Sequence, residues 1–442
     1  MIRKLVYSLG GLAVTLPASV FTTYIIYYYV DIIKLPVYLA GIAMLVYAVW
    51  NAVNDPLAGF LSDRTRSPYG RRLPYLAYGL VPFGLFFFLL WLPPFRGLDQ
   101  YRLLFFYFLF MICLFDGCGA VVSINWSSLF PEMFTTIKDR IEANSYRQIF
   151  GLLGILGGIA LPPMLYNRWG WGWMGALTAA VMMLALFLSL HASREEPKFS
   201  RDPSLPFWPA LKAALANRSF LTFVLANLLI QYALITLMAA APFYAKYILQ
   251  ASPEAIAVVM LVGFFTALPM LIFWRRLARR GGAKRVMILS LGLLALGLIP
   301  LFYIRVLNDS RIAWVAVLTG AAVAGYLLLN DILLADVIDE DELATGTRRE
   351  GTYFGLNTFI TKFSLALEAV SLSSVFLLYG YNPYIYTQPK TLGDGLRLLI
   401  AGLPIAALVL AIVALAFYPL SGKRLEAMRE KLAELHRRKG IS

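Results

Sequence analysis

Twelve stretches of about 20 apolar residues, separated by short polar intervals, leave this chain of 442 residues little choice of fold. They run near 10–30, 36–61, 73–94, 103–130, 146–166 and 172–191, then near 219–247, 253–274, 286–304, 312–336, 352–379 and 398–420. As a helix, each is long enough to cross a hydrocarbon core of about 30 Å. Hydrophobic residues make up 60% of the chain and charged ones 14%. A soluble domain holds about 45–50% and about 25%, so lipid must solvate the surplus. The expectation is an all-α membrane protein of twelve transmembrane helices.

Charge sets the orientation. The net charge of +14 would suggest nucleic acid in a soluble protein, but here the basic residues lie in short loops between apolar runs, so no nucleic-acid partner is expected. Arg64, Arg66, Arg71 and Arg72 follow the second run; Arg275, Arg276, Arg279, Arg280, Lys284 and Arg285 follow the eighth. Loops of the other parity, such as 31–35, 95–102 and 305–311, are less charged. Both termini are therefore expected in the cytoplasm of a multi-pass protein of the cell's inner membrane. Met1-Ile2-Arg3-Lys4 precedes a run long enough to span, so no cleavable leader is expected. The basic tail at 421–442 reads either as a solvated charged end or as an amphipathic helix on anionic lipid.

The long polar interval at 192–218 divides the runs six and six, with Phe207-Trp208-Pro209-Ala210-Leu211-Lys212 as a short interfacial helix inside it. Residues 1–191 then form one six-helix bundle and 219–420 the other. Each half carries its densest basic loop after its second helix. Pro131 to Arg147 after run four also echoes Asp336 to Arg349 after run ten, acidic residues giving way to arginine. Parallel six-helix repeats are the layout of the major facilitator architecture, which binds cargo near the midplane between halves.

Ionisable groups inside such runs are costly, about 2.5–3.5 kcal/mol on insertion scales, and mark pathways. Asp55 sits in the second run, with Asn51 one turn earlier and Asn54 beside it. Oxygen ligands at that spacing suit a hard cation or a proton-carrying Asp; the alternative is a local cap where Pro56 frees a carbonyl. Asp116 lies near the middle of run four beside two small residues, Gly117 and Gly119, with Ser123 two turns on. It suits a proton carrier or a structural hydrogen bond. Lys362 and Glu368 fall inside run eleven, Asp331 and Asp336 in run ten, and Arg147 opens run five. Lys362 needs a partner or a cargo group, Asp331 and Asp336 read as partners of loop arginines, and Glu368 has no evident partner. Trp50 and Trp126 stand beside Asn51 and Asn125, as aromatic faces do around a sugar ring or in plain packing. Cys113 and Cys118 are five apart on one helix and only two histidines are present, so neither a disulfide nor a metal site is expected.

Three elements carry a resemblance. One is Tyr27-Tyr28-Tyr29-Val30-Asp31 with Trp50-Asn51-Ala52-Val53-Asn54-Asp55-Pro56 and Thr65-Arg66-Ser67-Pro68-Tyr69-Gly70-Arg71. The second is Leu129-Phe130-Pro131-Glu132-Met133 with Asn144-Ser145-Tyr146-Arg147-Gln148. The third is Ala335-Asp336-Val337-Ile338-Asp339, Arg348-Arg349-Glu350-Gly351-Thr352-Tyr353-Phe354-Gly355 and Thr361-Lys362-Phe363. Together they resemble the glycoside-pentoside-hexuronide cation symporter family of the major facilitator superfamily. The resemblance implies that Asp55 contributes to a cation site, that Arg147 helps bind sugar, and that Lys362 lies by both sites. Three positions depart from melibiose-type members, which carry acids where this chain has Asn51, Ser123 and Thr15. Asp116 matches no family position.

The reading is a secondary transporter that couples a sugar or glycoside to a cation, the proton favoured over sodium because one buried carboxylate offers a metal little charge. Its coupling group would be Asp55, helped by Asn51, Asn54, Asp116 and Ser123; its cargo would lie near Thr15, Trp126, Arg147 and Lys362. Asp63, Arg64, Arg71 and Arg72 would gate the cytoplasmic end through ion pairs. No cofactor is expected beyond the coupling ion, H+ or Na+, and the expected form is a monomer in the bilayer. A lysolipid or other amphiphile carrier on the same fold is the close rival, and a non-transporting sensor is the rival of another class. An enzyme is disfavoured: there is no H-E-x-x-H, no G-x-S-x-G and almost no histidine.

Overall fold

The computed structural model describes residues 2–65, 67, 70, 72–95, 98–134, 137–194, 216–306, 309–346, 350–385 and 387–438. Among them are twelve helices long and apolar enough to cross a membrane. We label them α1 (Ile2–Ile32), α2 (Val37–Arg64), α3 (Leu73–Leu90), α4 (Tyr101–Met133), α5 (Ile137–Trp169) and α6 (Trp171–Ala192). The second set is α7 (Arg218–Leu249), α8 (Pro253–Gly281), α9 (Ala283–Phe302), α10 (Arg311–Thr345), α11 (Thr352–Leu378) and α12 (Lys390–Ala416). Every expected run is a helix. Phe207–Lys212 of the interval lies outside the described residues.

Packing repeats between the sets. In the first, α1 packs on α5 and α6, α2 on α4, and α3 on α4 and α6; in the second, α7 packs on α11 and α12, α8 on α10, and α9 on α10 and α12. Each pair maps onto its counterpart six helices on. The two sets meet through α1 on α7, α2 on α11 and α5 on α8. Exchanging the sets leaves the first of these contacts unchanged and swaps the other two, as a two-fold axis along the membrane normal requires. An even number of spans puts both termini on one face, called the near face here; the other is the far face.

Close packing rests on small residues, since lipid supplies no hydrophobic drive between helices. On α8 and α10 the approach is closest: a Cβ on Gly320 would lie 1.8 Å from the Gly263 carbonyl oxygen. Gly320→Ala must push the two backbones apart. We expect a loss of about 1–3 kcal/mol, read as a lower thermal midpoint in detergent, with Gly355→Ala, where a Cβ meets open space, as the neutral control.

The two ends of the chain differ from expectation. α1 begins at Ile2 because its basic start is docked: Lys4 pairs with Asp139 at 2.6 Å and Glu142 at 2.5 Å, and Arg3 Nε donates to the Ala192 carbonyl. The tail is neither free nor wholly exposed. Lys423–Arg438 forms a further helix, α13, that buries Met428 and Leu432. It is tied to the near end of α10 by Arg429–Asp336 at 2.9 Å and Arg424–Glu340 at 3.2 Å. Among the described residues Asp336 thus pairs with an arginine of the tail, where a loop arginine was expected.

Candidate functional site

One face of α2 carries Tyr47, Asn51, Asn54 and Asp55, at spacings that stack side chains along a helix. Against it α4 sets Asp116. The Asn51 amide donates to Asp116 Oδ1 at 3.2 Å and to the Tyr47 hydroxyl at 2.9 Å, Tyr47 donates to Oδ1 at 3.3 Å, and the Asn54 amide donates to Oδ2. Neither amide oxygen, Asn51 Oδ1 nor Asn54 Oδ1, has a partner among the described residues, although both are buried. Trp50 fixes the neighbouring turn by donating from its indole to the Cys113 carbonyl at 2.9 Å.

Asp55 points the other way along the same face, across the seam between the sets. The Lys362 ammonium donates to Asp55 Oδ2 at 2.5 Å and to the Asn51 carbonyl at 2.5 Å. Lys362 can reach because α11 is interrupted there: a turn separates the helical segments Glu350–Thr361 and Phe363–Leu378. Broken helices at mid-span are tolerated where they line a site. The charges do not cancel. Lys362 neutralises Asp55, and among the described residues the donors to Asp116 are all neutral. A proton or one monovalent cation would balance the cluster.

At the far face a second constellation joins the sets. Asp31 is 1% exposed and accepts from the Lys246 ammonium, the Tyr247 hydroxyl and, at 2.7 Å, the Tyr381 hydroxyl. Asp31 and Lys246 both sit in π-helical turns, Tyr27–Ile32 and Ala245–Leu249, the kind of local distortion that often marks functional sites. Beside them lies a cavity of ≈ 350 Å³ lined by Tyr24, Tyr27, Tyr166, Lys246 and Gln250 among others, drawn from both sets. That volume is within the range of small-molecule sites.

The fold and this midplane cluster fit a carrier, and the comparison of sequences decides the family. A family model described as MFS/sugar transport protein matches residues 6–422. The chain belongs to this family. It is a transporter fold of the glycoside-pentoside-hexuronide type. Among relatives, the isoprimeverose transporter of Lactiplantibacillus pentosus is 24% identical, over 93% of this chain and 87% of that one. The sodium-dependent lysophosphatidylcholine symporter 1 of Gallus gallus is 23% identical, over 98% and 89%. The crystal structure of the nucleoside transporter NupG shares the fold with a TM-score of 0.69 at 15% identity, covering 95% of this chain and 100% of that one.

The transporter's other expected site residues are placed apart from the cluster. Arg147 lies over the faces of Trp126 (4.4 Å) and Phe130 (4.6 Å). Trp126 is buried and stacked on Tyr7 at 5.4 Å, its indole donating to Ser189 at 3.1 Å, so its second face goes to packing. Thr15 spends its hydroxyl on the Gly11 and Gly151 carbonyls at 2.9 and 2.8 Å, inside the α1–α5 contact. Ser123 bonds its own helix at Ala120, 3.4 Å. Of the expected gate, the side chains of Asp63 and Arg64 and all of Arg71 lie outside the described residues; Arg72 stands half-buried at the start of α3. Sequence reasoning missed Tyr47, Lys246, Tyr247 and Tyr381. The spacing of Tyr47, Asn51 and Asn54 at four and three residues was a signal for the first.

Proposed function

We propose that this transporter carries a sugar or glycoside across the bilayer together with one cation, by alternating access. The observation that supports it is the uncompensated carboxylate of Asp116 beside the Asp55–Lys362 pair, at mid-span and at the contact between sets. Asp116, more than Asp55, would take the cation, and the proton is favoured over sodium because a single uncompensated carboxylate offers a metal little charge. Binding the cation neutralises the cluster, which lets the sets rock without dragging a net charge through lipid. Lys362 would hold α2 of one set against α11 of the other, while Asp31 with Lys246 keeps the far face shut. The family and the name of the isoprimeverose transporter support a sugar cargo. Both termini would be cytoplasmic, in the inner membrane, by the loop charges.

A second reading is sodium with an amphiphilic cargo. Two buried amide oxygens without partners favour it, since Asn51 and Asn54 turned end for end would offer oxygen to a metal. So does the name of the lysophosphatidylcholine relative. Uptake into proteoliposomes of a pentoside, a hexoside, a hexuronide and a lysolipid, under an imposed proton or sodium gradient, separates the readings. Sugar accumulated on protons alone supports the first; lysolipid accumulated on sodium replaces it; no flux at all returns the chain to a sensor.

The far-face latch has its own expected result. Asp31→Asn removes the charge that Lys246 pairs with, and the far face should open more often. Cysteine placed at Tyr27 should then react several-fold faster with a membrane-impermeant maleimide than in the parent; an unchanged rate would mean that the latch does not hold the closure.

A further inference from the structure

Glu368 is the buried acid that the account so far leaves unused. It lies on α11 six residues beyond Lys362, about 9 Å further toward the far face. It is 2% exposed, and its Oε1 has no hydrogen-bond partner among the described residues. Its pocket is a seam pocket. Ile26 and Val30 come from α1, Gly41 and Met44 from α2, and Leu372 and Ser373 from its own helix. The remaining void is ≈ 10 Å³, at or below what one water needs, about 10–15 Å³. The seam is tight, because a Cβ on Gly41 would fall 2.2 Å from Ser373 Oγ.

Among the described residues no other ionisable side chain lines the pocket. Beyond it, α1 carries Tyr27, Tyr29 and Asp31, the last occupied by Lys246, Tyr247 and Tyr381. On α2 the next groups are Tyr38 and Tyr47, the latter on Asp116; on α11 it is Lys362, held by Asp55; on α7, Tyr232 bonds Ser371; on α10, Tyr326 donates to Asn227; on α12, Arg397 pairs with Asp394 at 3.1 Å. None is placed to balance a charge on Glu368. An ionised carboxylate without counter-charge, donor or water is among the costliest groups to bury, whereas the neutral acid is tolerated.

We propose that Glu368 is a proton-binding site of the far-face seam, taking up a proton when the sets close over it and returning it to the far-side solution when they part. The parting of the sets rests on the alternating-access reading; the proton on the closed seam does not. The balance is simple: the closed acid becomes an open carboxylate plus one proton. In the open state Glu368 is an ordinary glutamate, ionised above about pH 4.3. Closure therefore binds a proton, is favoured as pH falls, and weakens as pH rises, by up to about tenfold per unit.

Two measurements test this. Infrared difference spectra of the purified protein in nanodiscs at neutral pH should contain a protonated-carboxyl band that Glu368→Gln removes. Spin labels on exposed far-face positions of the two sets, Tyr38 and Tyr303, should report a closed fraction that falls with rising pH in the parent. That slope should shrink in Glu368→Gln, which mimics the neutral acid and leaves only what Asp116 contributes, and persist in Glu368→Asp and in Asp31→Asn. A slope in Glu368→Gln equal to the parent's would overturn the proposal. A band lost in a protein that moves no cargo would sink the transport reading and leave the site standing; an unchanged band in an active transporter would do the reverse.

Discussion

Asp116→Asn is expected to abolish cation-driven accumulation while cargo exchange across the membrane continues. The argument is one of charge. With Asp55 and Lys362 paired, the cluster's remaining carboxylate is Asp116, so the amide variant has nothing left for a cation to neutralise. The substitution keeps the shape of the side chain and one acceptor oxygen for Tyr47 and Asn51, and its new amide can donate to Asn54 Oδ1 once the Asn54 amide turns over. The sets should still rock, and exchange should persist. One coupled proton supports up to about tenfold accumulation per unit of imposed pH gradient, and the variant should equilibrate at a ratio of about one. Asp55→Asn should also lose accumulation by the same arithmetic, because Lys362 is then free to neutralise Asp116. Undiminished accumulation in Asp116→Asn would remove it from coupling.

The second large effect concerns the pair that crosses the seam. Lys362 and Asp55 have side chains 16% and 31% exposed, so the pair is mostly out of water. Lys362→Met strands Asp55 in the near half of α2, a loss of about 1–2 kcal/mol, below the cost of an unpaired acid at the centre of the bilayer. The double variant Lys362→Met, Asp55→Leu strands nothing and should recover most of that stability, with an interaction energy of about 1–3 kcal/mol. Thermal midpoints of the four proteins in detergent give this number directly. Transport should not recover with stability, because the ion pair that ties α2 to α11 beside Asp116 is gone. Additive midpoints would show that the pair contributes no specific contact.

How much of this was legible in the sequence follows from where each partner lies. The twelve spans were, because an apolar run long enough to cross a bilayer has few other uses. Asp55 and Lys362 stood out as charges inside such runs, but not as partners, since 307 residues separate them. Asp116 could be suspected on its own. Its donors could not, because the register of α4 against α2 is set by packing between helices far apart in the chain. Tyr47 was hidden among 25 tyrosines. Asp31 lay within a recognised motif, yet its role depends on Lys246, 215 residues away and aimed by a π turn that no periodicity announces. Thr15 was placed by spacing and Trp126 by its neighbour Asn125, and neither signal reveals that their polar atoms are already satisfied by α5 and α6.

The central claim is that cargo moves with a cation bound at the Asp116 cluster, and the most direct measurement follows the proton itself. Lightly buffered proteoliposomes, with no gradient imposed, are given the sugar that the uptake panel identifies, and the external pH is recorded. The account predicts that the medium turns alkaline as cargo enters, and that Asp116→Asn takes up cargo toward equilibrium without any such change. Sugar entering the parent protein with no movement of protons, or a proton signal of parental size in Asp116→Asn, would contradict it.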